Sequence, residues 1–254
     1  MTSESSPRLD IVILVYDEGA NILQTLGSLL RSVSTPYRVL ICYDRDDDDT
    51  LTAINDNRES LPGMYIDFVR NRGRGAHAAV VTGFAASKAP FVLVLTADDD
   101  YNAGIIDGMV AKALAGFDIV CPSRFAPGGA MTGCPIVKAC VAVIGNLSLY
   151  YLTRLPARDA TNGFRLFSRR VLDQIAIESD RGFCYSIELL VKCHRLGWPI
   201  AEVAAQWHER VRGTSRFRVL QWLPAYGRWY FYALARTYLR RPARTVRLKP
   251  ATQP

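Results

Sequence analysis

At 254 residues, with 49% apolar and 22% charged residues, the chain can bury a sizeable core as one large α/β domain or two small ones, and its composition excludes disorder. The net charge of +7 gathers at the C-terminal end, in Arg210, Arg212, Arg216, Arg218, Arg228, Arg236, Arg240, Arg241, Arg244 and Arg247, and asks for an anionic partner. Six cysteines without C-x-x-C spacing exclude a structural zinc site and fit a reducing compartment.

Met1 to Leu9 is polar and lacks the apolar core of a signal peptide. Leu9 to Val15 (LDIVILV) is a continuous β-branched run, predicted as a strand covered on both faces. Asp17 to Arg31 sets Ile22, Leu26, Leu29 and Leu30 at helical spacing. Tyr37 to Tyr43 is a second buried strand, and it runs into acid from Asp44 to Asp49. A helix over Leu51 to Glu59, a strand over Met64 to Val69, and a loop and helix over Gly73 to Ser87 follow. Phe91 to Thr96 (FVLVLT) is a fourth strand, ending in Asp98-Asp99-Asp100. Ile105 to Ala115 is predicted helical and Asp118 to Pro122 a short strand.

Beyond Phe125 the pattern changes. A loop opens at Pro127-Gly128-Gly129, Ile136 to Leu155 is predicted helical, and a polar loop from Arg158 leads into a short strand before Arg169. Phe183 to Leu196 is a helix stopped by Gly197 and Pro199, and Ile200 to Trp207 is a late strand. No stretch of about 18 uncharged apolar residues occurs, so no transmembrane helix is expected. Val219 to Leu239, interrupted by Pro224, Arg228 and Arg236, carries the aromatic and basic mix of a membrane interface, and Pro242 to Pro254 reads as a loose tail.

Alternating strands and helices predict a doubly wound, mostly parallel sheet, in which ligands sit beyond the carboxyl ends of the strands. Two acidic clusters stand at two such ends. No G-x-G-x-x-G follows the first strand, and Gly73-Arg74-Gly75 is too short a glycine signal for a dinucleotide site. Asp98 and Asp100 alternate across Asp99, so in an extended segment both would face one side and could hold a hard divalent cation, Mg²⁺ or Mn²⁺. His77, His194 and His208 have no metal-ligand spacing, and Glu188, on an apolar helical face, needs a cationic partner, expected to be an arginine.

The assembly of Val15-Tyr16-Asp17-Glu18, the acidic end of the second strand, Gly73-Arg74-Gly75-Ala76, Thr96-Ala97-Asp98 and Ser123-Arg124-Phe125 resembles glycosyltransferase family 2. Within it, the second half is similar to the dolichyl- and polyprenyl-phosphate sugar synthases. Arg158 to Phe167 (RDATNGFRLF) follows the D-x-T-x-G-F-R-L segment, Gly182-Phe183 with Ile187-Glu188-Leu189-Leu190 a G-[FY]…E-[ML] helix, and Arg210 to Arg216 (RVRGTSR) an R-x-x-G-x-S-[KR] element. The resemblance runs collinearly from Leu9 to Phe217.

It implies a GT-A α/β catalytic domain over residues 1–217, an amphipathic interfacial helix over 218–241 and a flexible tail over 242–254. It also implies a metal-dependent inverting transfer of a sugar from a GDP- or UDP-linked donor to a polyprenyl phosphate. By position, Tyr16, Asp17, Glu18, Asp44, Asp46, Gly73 and Arg74 would hold the nucleotide, with Asp98 and Asp100 on the diphosphate and the metal. Arg124, Arg210, Ser215 and Arg216 would face the acceptor phosphate, and Asp98, Asp159, Arg165 and Arg210 would be catalytic. The family commonly writes D-x-D with its first acid where Thr96 stands here. Either Asp98 and Asp100 replace that pair in a shifted register, or Asp98 is the sole direct ligand. A basic, aromatic end implies peripheral attachment to the cytoplasmic face of a membrane, alone or through a small membrane subunit. The rival readings are a transferase with a non-lipid glycan or soluble acceptor, and a nucleotide-sugar-binding protein without turnover. A nucleic-acid partner is not expected, because the aromatics form no RNA-binding signature.

Overall fold

The computed structural model describes residues 7–209, 219–239 and 245–250. The chain forms two compact units, 1–111 and 112–254, divided within one helix.

In the first unit, β1 (Leu9–Leu14) lies between β2 (Tyr37–Tyr43) and β4 (Phe91–Thr96), with β3 (Ile66–Arg70) beyond β2, all parallel. A central strand with helices on its faces has no wet side. That is why Leu9, Ile11, Val12 and Ile13 are all apolar and fully buried. Asp10 breaks the run, and the register answers it by setting Arg38 of β2 directly opposite. The Arg38 guanidinium holds both Asp10 oxygens at 2.9 Å, and the N–H groups of Lys88 and Ala89 donate to Oδ2 at 2.6 and 2.9 Å. Burial alone would raise the Asp10 pKa, but the guanidinium and the two N–H donors outweigh it and hold the carboxyl below its ordinary value.

Helix α1 (Gly19–Ser32) buries Ile22, Leu26 and Leu29, spaced four and three residues apart. Helix α2 (Asp49–Asp56) starts two residues earlier than its apolar pattern predicts, because Asp48 caps it, accepting from the Thr50 N–H at 3.0 Å. Helix α3 (Gly75–Ala86) crosses β1 and β2 at Gly83, where a Cβ would stand 2.4 Å from Val12 Cγ1. Only glycine allows that approach. Helix α4 (Ile106–Leu114) carries the division between the units.

In the second unit, β5 (Ile119–Ser123) pairs antiparallel with β7 (Arg165–Ser168) and parallel with β8 (Ile200–Ala204). Beside them, β6 (Ala130–Thr132) and β9 (Gln206–His208) form a short parallel pair, so the late strand predicted as one piece is broken at Ala205. Among the described residues four helices follow: α5 (Ile136–Thr153), α6 (Arg169–Gln174), α7 (Cys184–Leu196) and α8 (Val219–Leu239). Helix α7 is buried almost all round and ends at Gly197, whose φ of 74° lets Trp198 N–H reach back to Cys193 O at 3.0 Å.

One expectation is corrected here and one is refined. Residues 245–250 are no loose tail: Val246 is buried, Leu248 bridges Ile175, and Lys249 N–H donates to Gln174 O at 2.8 Å. One apolar residue and a few backbone bonds suffice to dock so short a segment, and neither leaves a periodic pattern. Second, α5 is 18 residues long and apolar enough by length and composition to cross a membrane, with Lys138 its one charge.

Candidate functional site

Parallel strands end on the same side, so in the first unit the loops after β1, β2, β3 and β4 emerge together. These loops carry Tyr16–Glu18, Asp44–Asp49, Arg72–Arg74 and Asp98–Asp100. The loop after β1 is pinned by the loop after β2. Asp17 N–H donates to Asp48 Oδ2 at 3.1 Å, Glu18 N–H to Thr50 Oγ1 at 2.9 Å and Gly19 N–H to Asp49 Oδ1 at 2.9 Å. This tight turn holds Asp17 at a φ of 53°, a left-handed conformation that aspartate tolerates better than most residues. Arg45 then covers the pair it faces, bonding Asp17 Oδ1 at 2.8 Å and lying 5.0 Å over the Tyr16 ring.

Asp17, Asp48 and Asp49 bring carboxylate oxygens within 4.8 Å of one another, a grouping not expected from the sequence. Their oxygens already accept backbone N–H groups and the Arg45 guanidinium, so the cluster is accounted for as loop architecture.

Asp44 is the organiser of the loop after β3. Its Oδ1 accepts Asn71 Nδ2 at 2.6 Å and its Oδ2 accepts Gly75 N–H at 2.9 Å, while Asn71 Oδ1 accepts Gly73 N–H at 3.0 Å. The exposed Gly73-Arg74 corner is therefore held by Asp44 through Asn71, a residue the sequence did not single out. Asp46 lies outside this network, exposed and paired with Arg70 at 2.7 Å.

Strand β4 stops at Thr96 and the chain turns at Ala97 and Asp98, so the alternation expected of an extended segment does not hold. Asp99 turns inward instead, its carboxylate bonded to the Asn102 side-chain and backbone N–H groups at 2.9–3.1 Å. Burial pushes its pKa up to about 6, against those hydrogen bonds. Asp100 accepts the Gln24 amide, and its carbonyl accepts Ser28 Oγ. Asp98 stands half-exposed at the turn. One or two carboxylates beside a substrate diphosphate match the manner in which Mg²⁺ is usually held, so Asp98, with or without Asp100, fits a divalent ion.

In the second unit the focus is a buried ion pair. Asp159 is completely buried and takes the Arg124 guanidinium at 2.6 and 2.8 Å, as well as the Arg124 N–H at 3.1 Å. Arg165 is also fully buried, donating to Ser186 O at 2.7 Å and Asp159 O at 2.8 Å. These two bonds tie β7 and the Asp159 loop to the first turn of α7. Among the described residues, Arg165 Nε and the Tyr226 hydroxyl are buried without a hydrogen-bond partner. Tyr226, read in the sequence only as one of the interfacial aromatics of Val219 to Leu239, lies on α8. Burial pushes its phenol pKa up, while the charges of Arg165 and Arg124 pull it down.

The loop before α7 hangs on a second buried pair. Glu188 accepts the N–H groups of Glu178 and Ser179 at 2.6 and 2.8 Å and bonds Lys192 at 2.6 Å. Its partner is thus a lysine one turn on, not the arginine expected. Arg210, Arg212, Ser215 and Arg216 lie outside the described residues.

The model of the family described as glycosyl transferase family 2 matches residues 10–176. The chain belongs to glycosyl transferase family 2. Curated relatives include a polyprenol monophosphomannose synthase of Mycolicibacterium smegmatis, 24% identical over 236 residues, covering 87% of this chain and 89% of that one. An uncharacterized glycosyltransferase of Mycobacterium bovis is 28% identical over 193 residues, covering 76% and 84%. Among solved structures, glucosyl-3-phosphoglycerate synthase of Mycobacterium tuberculosis, in complex with Mn²⁺, UDP and glucosyl-3-phosphoglycerate, is similar with a TM-score of 0.62 at 18% identity. That match covers 91% of this chain and 79% of that one. The α/β architecture with mostly parallel strands flanked by helices matches these GT-A glycosyltransferase structures. Like others of family 2, the chain is a glycosyltransferase.

Proposed function

We propose that this family 2 enzyme transfers a sugar, with inversion, from a nucleotide diphosphate sugar to a polyprenyl phosphate at the cytoplasmic face of a membrane. The observation that carries the reading is the nearly end-to-end similarity to a polyprenol monophosphomannose synthase. The loops built on Tyr16–Glu18, Asp44 and Gly73-Arg74 take the nucleoside, and Asp98, alone or with Asp100, takes the diphosphate side. A Mg²⁺ or Mn²⁺ ion bound there supplies the positive charge that a departing diphosphate needs.

A phosphate acceptor is already an anion near neutral pH, so attack on the anomeric carbon needs no strong general base. What it needs is cationic placement of one anion beside another. Arg124, with Arg210, Ser215 and Arg216, supplies it, the planar guanidinium suiting phosphate in a two-pronged contact. Asp159 acts through Arg124, fixing its rotamer, and is a positioning residue. The solved relatives favour one rival: their acceptor, phosphoglyceric acid, is an anion without a lipid tail.

The deciding assay measures release of GDP or UDP from GDP-mannose, UDP-glucose and UDP-N-acetylglucosamine, with Mn²⁺ or EDTA and with or without a short polyprenyl phosphate. Lipid-dependent, EDTA-sensitive release from one donor is the expected result. Release that follows a soluble phosphorylated acceptor and ignores the lipid overturns the acceptor assignment.

A further inference from the structure

Helix α5 has two unlike sides. Asn146, Leu149 and Thr153 face inward and are buried. Asn146 clamps the middle of the helix to its own unit, donating to Thr161 Oγ1 at 2.9 Å and accepting Ala160 N–H at 2.8 Å. The opposite side is apolar and bare: Ile136 is 82% exposed, Val137 78%, Ile144 68% and Tyr151 72%, with Cys140 and Val141 between them. At helical spacing these positions form one stripe, centred on Ile144 and Tyr151. Helix α8 packs against α5, with Ser148 Oγ and Tyr230 Oη 2.9 Å apart, and adds Phe231, Tyr238 and Leu239, each more than 60% exposed.

A monomer in water rarely leaves so much contiguous apolar surface bare. Charge says what covers it. No acidic residue occurs between Pro127 and Arg158, nor anywhere from Arg210 to Pro254, where ten arginines and Lys249 lie, whereas the first 209 residues are net acidic. Apolar and aromatic side chains on two segments that carry cations and no acid of their own, with only Lys138 and Arg228 among the described residues answered by acids from elsewhere in the chain, Glu209 and Glu178, are the chemistry of an anionic bilayer interface.

We infer that α5, together with α8, is the membrane-docking face of this protein, lying flat in the interface of an anionic bilayer with the Ile144–Tyr151 stripe in the acyl boundary. Although α5 is long and apolar enough to span a bilayer, its clamp at Asn146 keeps one side against protein, so the helix lies in the plane instead of crossing. The role of this face rests on the lipid-acceptor reading, but its test needs neither donor nor acceptor.

Cys140 is exposed on the stripe, Cys42, Cys121, Cys184 and Cys193 are buried, and Cys134 is half-buried. The full chain carrying Cys134→Ser would be labelled at Cys140 with a polarity-sensitive fluorophore and titrated with vesicles of phosphatidylcholine, with or without phosphatidylglycerol. Unlabelled wild type would be followed by vesicle co-sedimentation. The expected result is a blue shift and binding at least about tenfold tighter to the anionic vesicles, weakening with salt. Ile144→Glu with Tyr151→Glu is expected to lower vesicle binding by tenfold or more, while melting and transfer to a water-soluble short-chain acceptor stay unchanged.

Vesicle binding that ignores this double substitution, or no binding by either method, overturns the inference. So does light scattering that shows a dimer with the probe shielded, which would assign the face to a second copy. Strong vesicle binding without transfer to any lipid phosphate would instead sink the acceptor reading and leave the docking face standing.

Discussion

The two units handle charge in opposite ways. In the first, most acids stand at strand ends, where backbone N–H groups and neighbouring arginines hold them; Asp10 lies inside the sheet opposite Arg38, and Asp48 and Asp99 are buried within the loops themselves. In the second, the pairs Arg124–Asp159 and Lys192–Glu188 sit inside the fold, and one side of α5 is left apolar and exposed. A regular parallel sheet offers a row of loops on one side, so acids can gather there without leaving water. In the second unit the strands are short and partly antiparallel, and buried ion pairs fix the loops between them. Such pairs position more than they stabilise, because desolvation consumes most of their attraction.

The comparison breaks first where a buried partner is removed. Asp159→Ala leaves the Arg124 guanidinium uncompensated, and denaturant melts are expected to show a loss of about 3–5 kcal/mol. Replacing exposed Asp46 the same way should change stability by less than about 1 kcal/mol. If the two losses were equal, the contrast between the units would be wrong.

Asp10 sharpens the contrast through pH. Its carboxyl is held below the ordinary value of 3.8, so its stabilisation is complete above that value and is lost as pH falls through the lower folded-state pKa. Asp10→Asn should cost about 3 kcal/mol at pH 7 and flatten the acid side of the stability profile, measured by urea melts between pH 2 and 7.

Asp98→Ala tests the strand-end row. Transfer is expected to fall about 100-fold, the loss of a few kcal/mol of charge stabilisation, with melting unchanged because the side chain is half-exposed. A parallel drop in melting temperature would recast Asp98 as structural.

The smallest effect is expected from Tyr226→Phe. Its hydroxyl is buried without a partner among the described residues, so removing it should leave stability unchanged or raise it by about 1 kcal/mol. If that hydroxyl serves the acceptor phosphate beside Arg124, KM for the acceptor rises several-fold while kcat stays. An unchanged KM would assign Tyr226 to packing alone.

Legibility in the sequence divides along the same line. Strands β2 and β4 coincide with their predicted bounds, and the strand-end acids were found because a parallel sheet imposes continuous apolar runs that stop where the chain leaves the core. The asymmetry of α5 was not seen: its inward face is marked by Asn146 and Thr153, polar residues that a hydrophobic pattern assigns to solvent. Tertiary hydrogen bonds reversed that assignment.

What the sequence by itself determined is the family, the order of the parallel strands' elements and the positions of the acidic loop residues, because each follows from local periodicity and collinear motifs. Only the tertiary structure decided that Asp99 turns inward beside Asn102, that Arg165 is a buried brace and that Glu188 answers to Lys192. It also decided which side of α5 is left bare. Partners in a buried network are chosen by distances between residues far apart in the chain, and no window of sequence contains them.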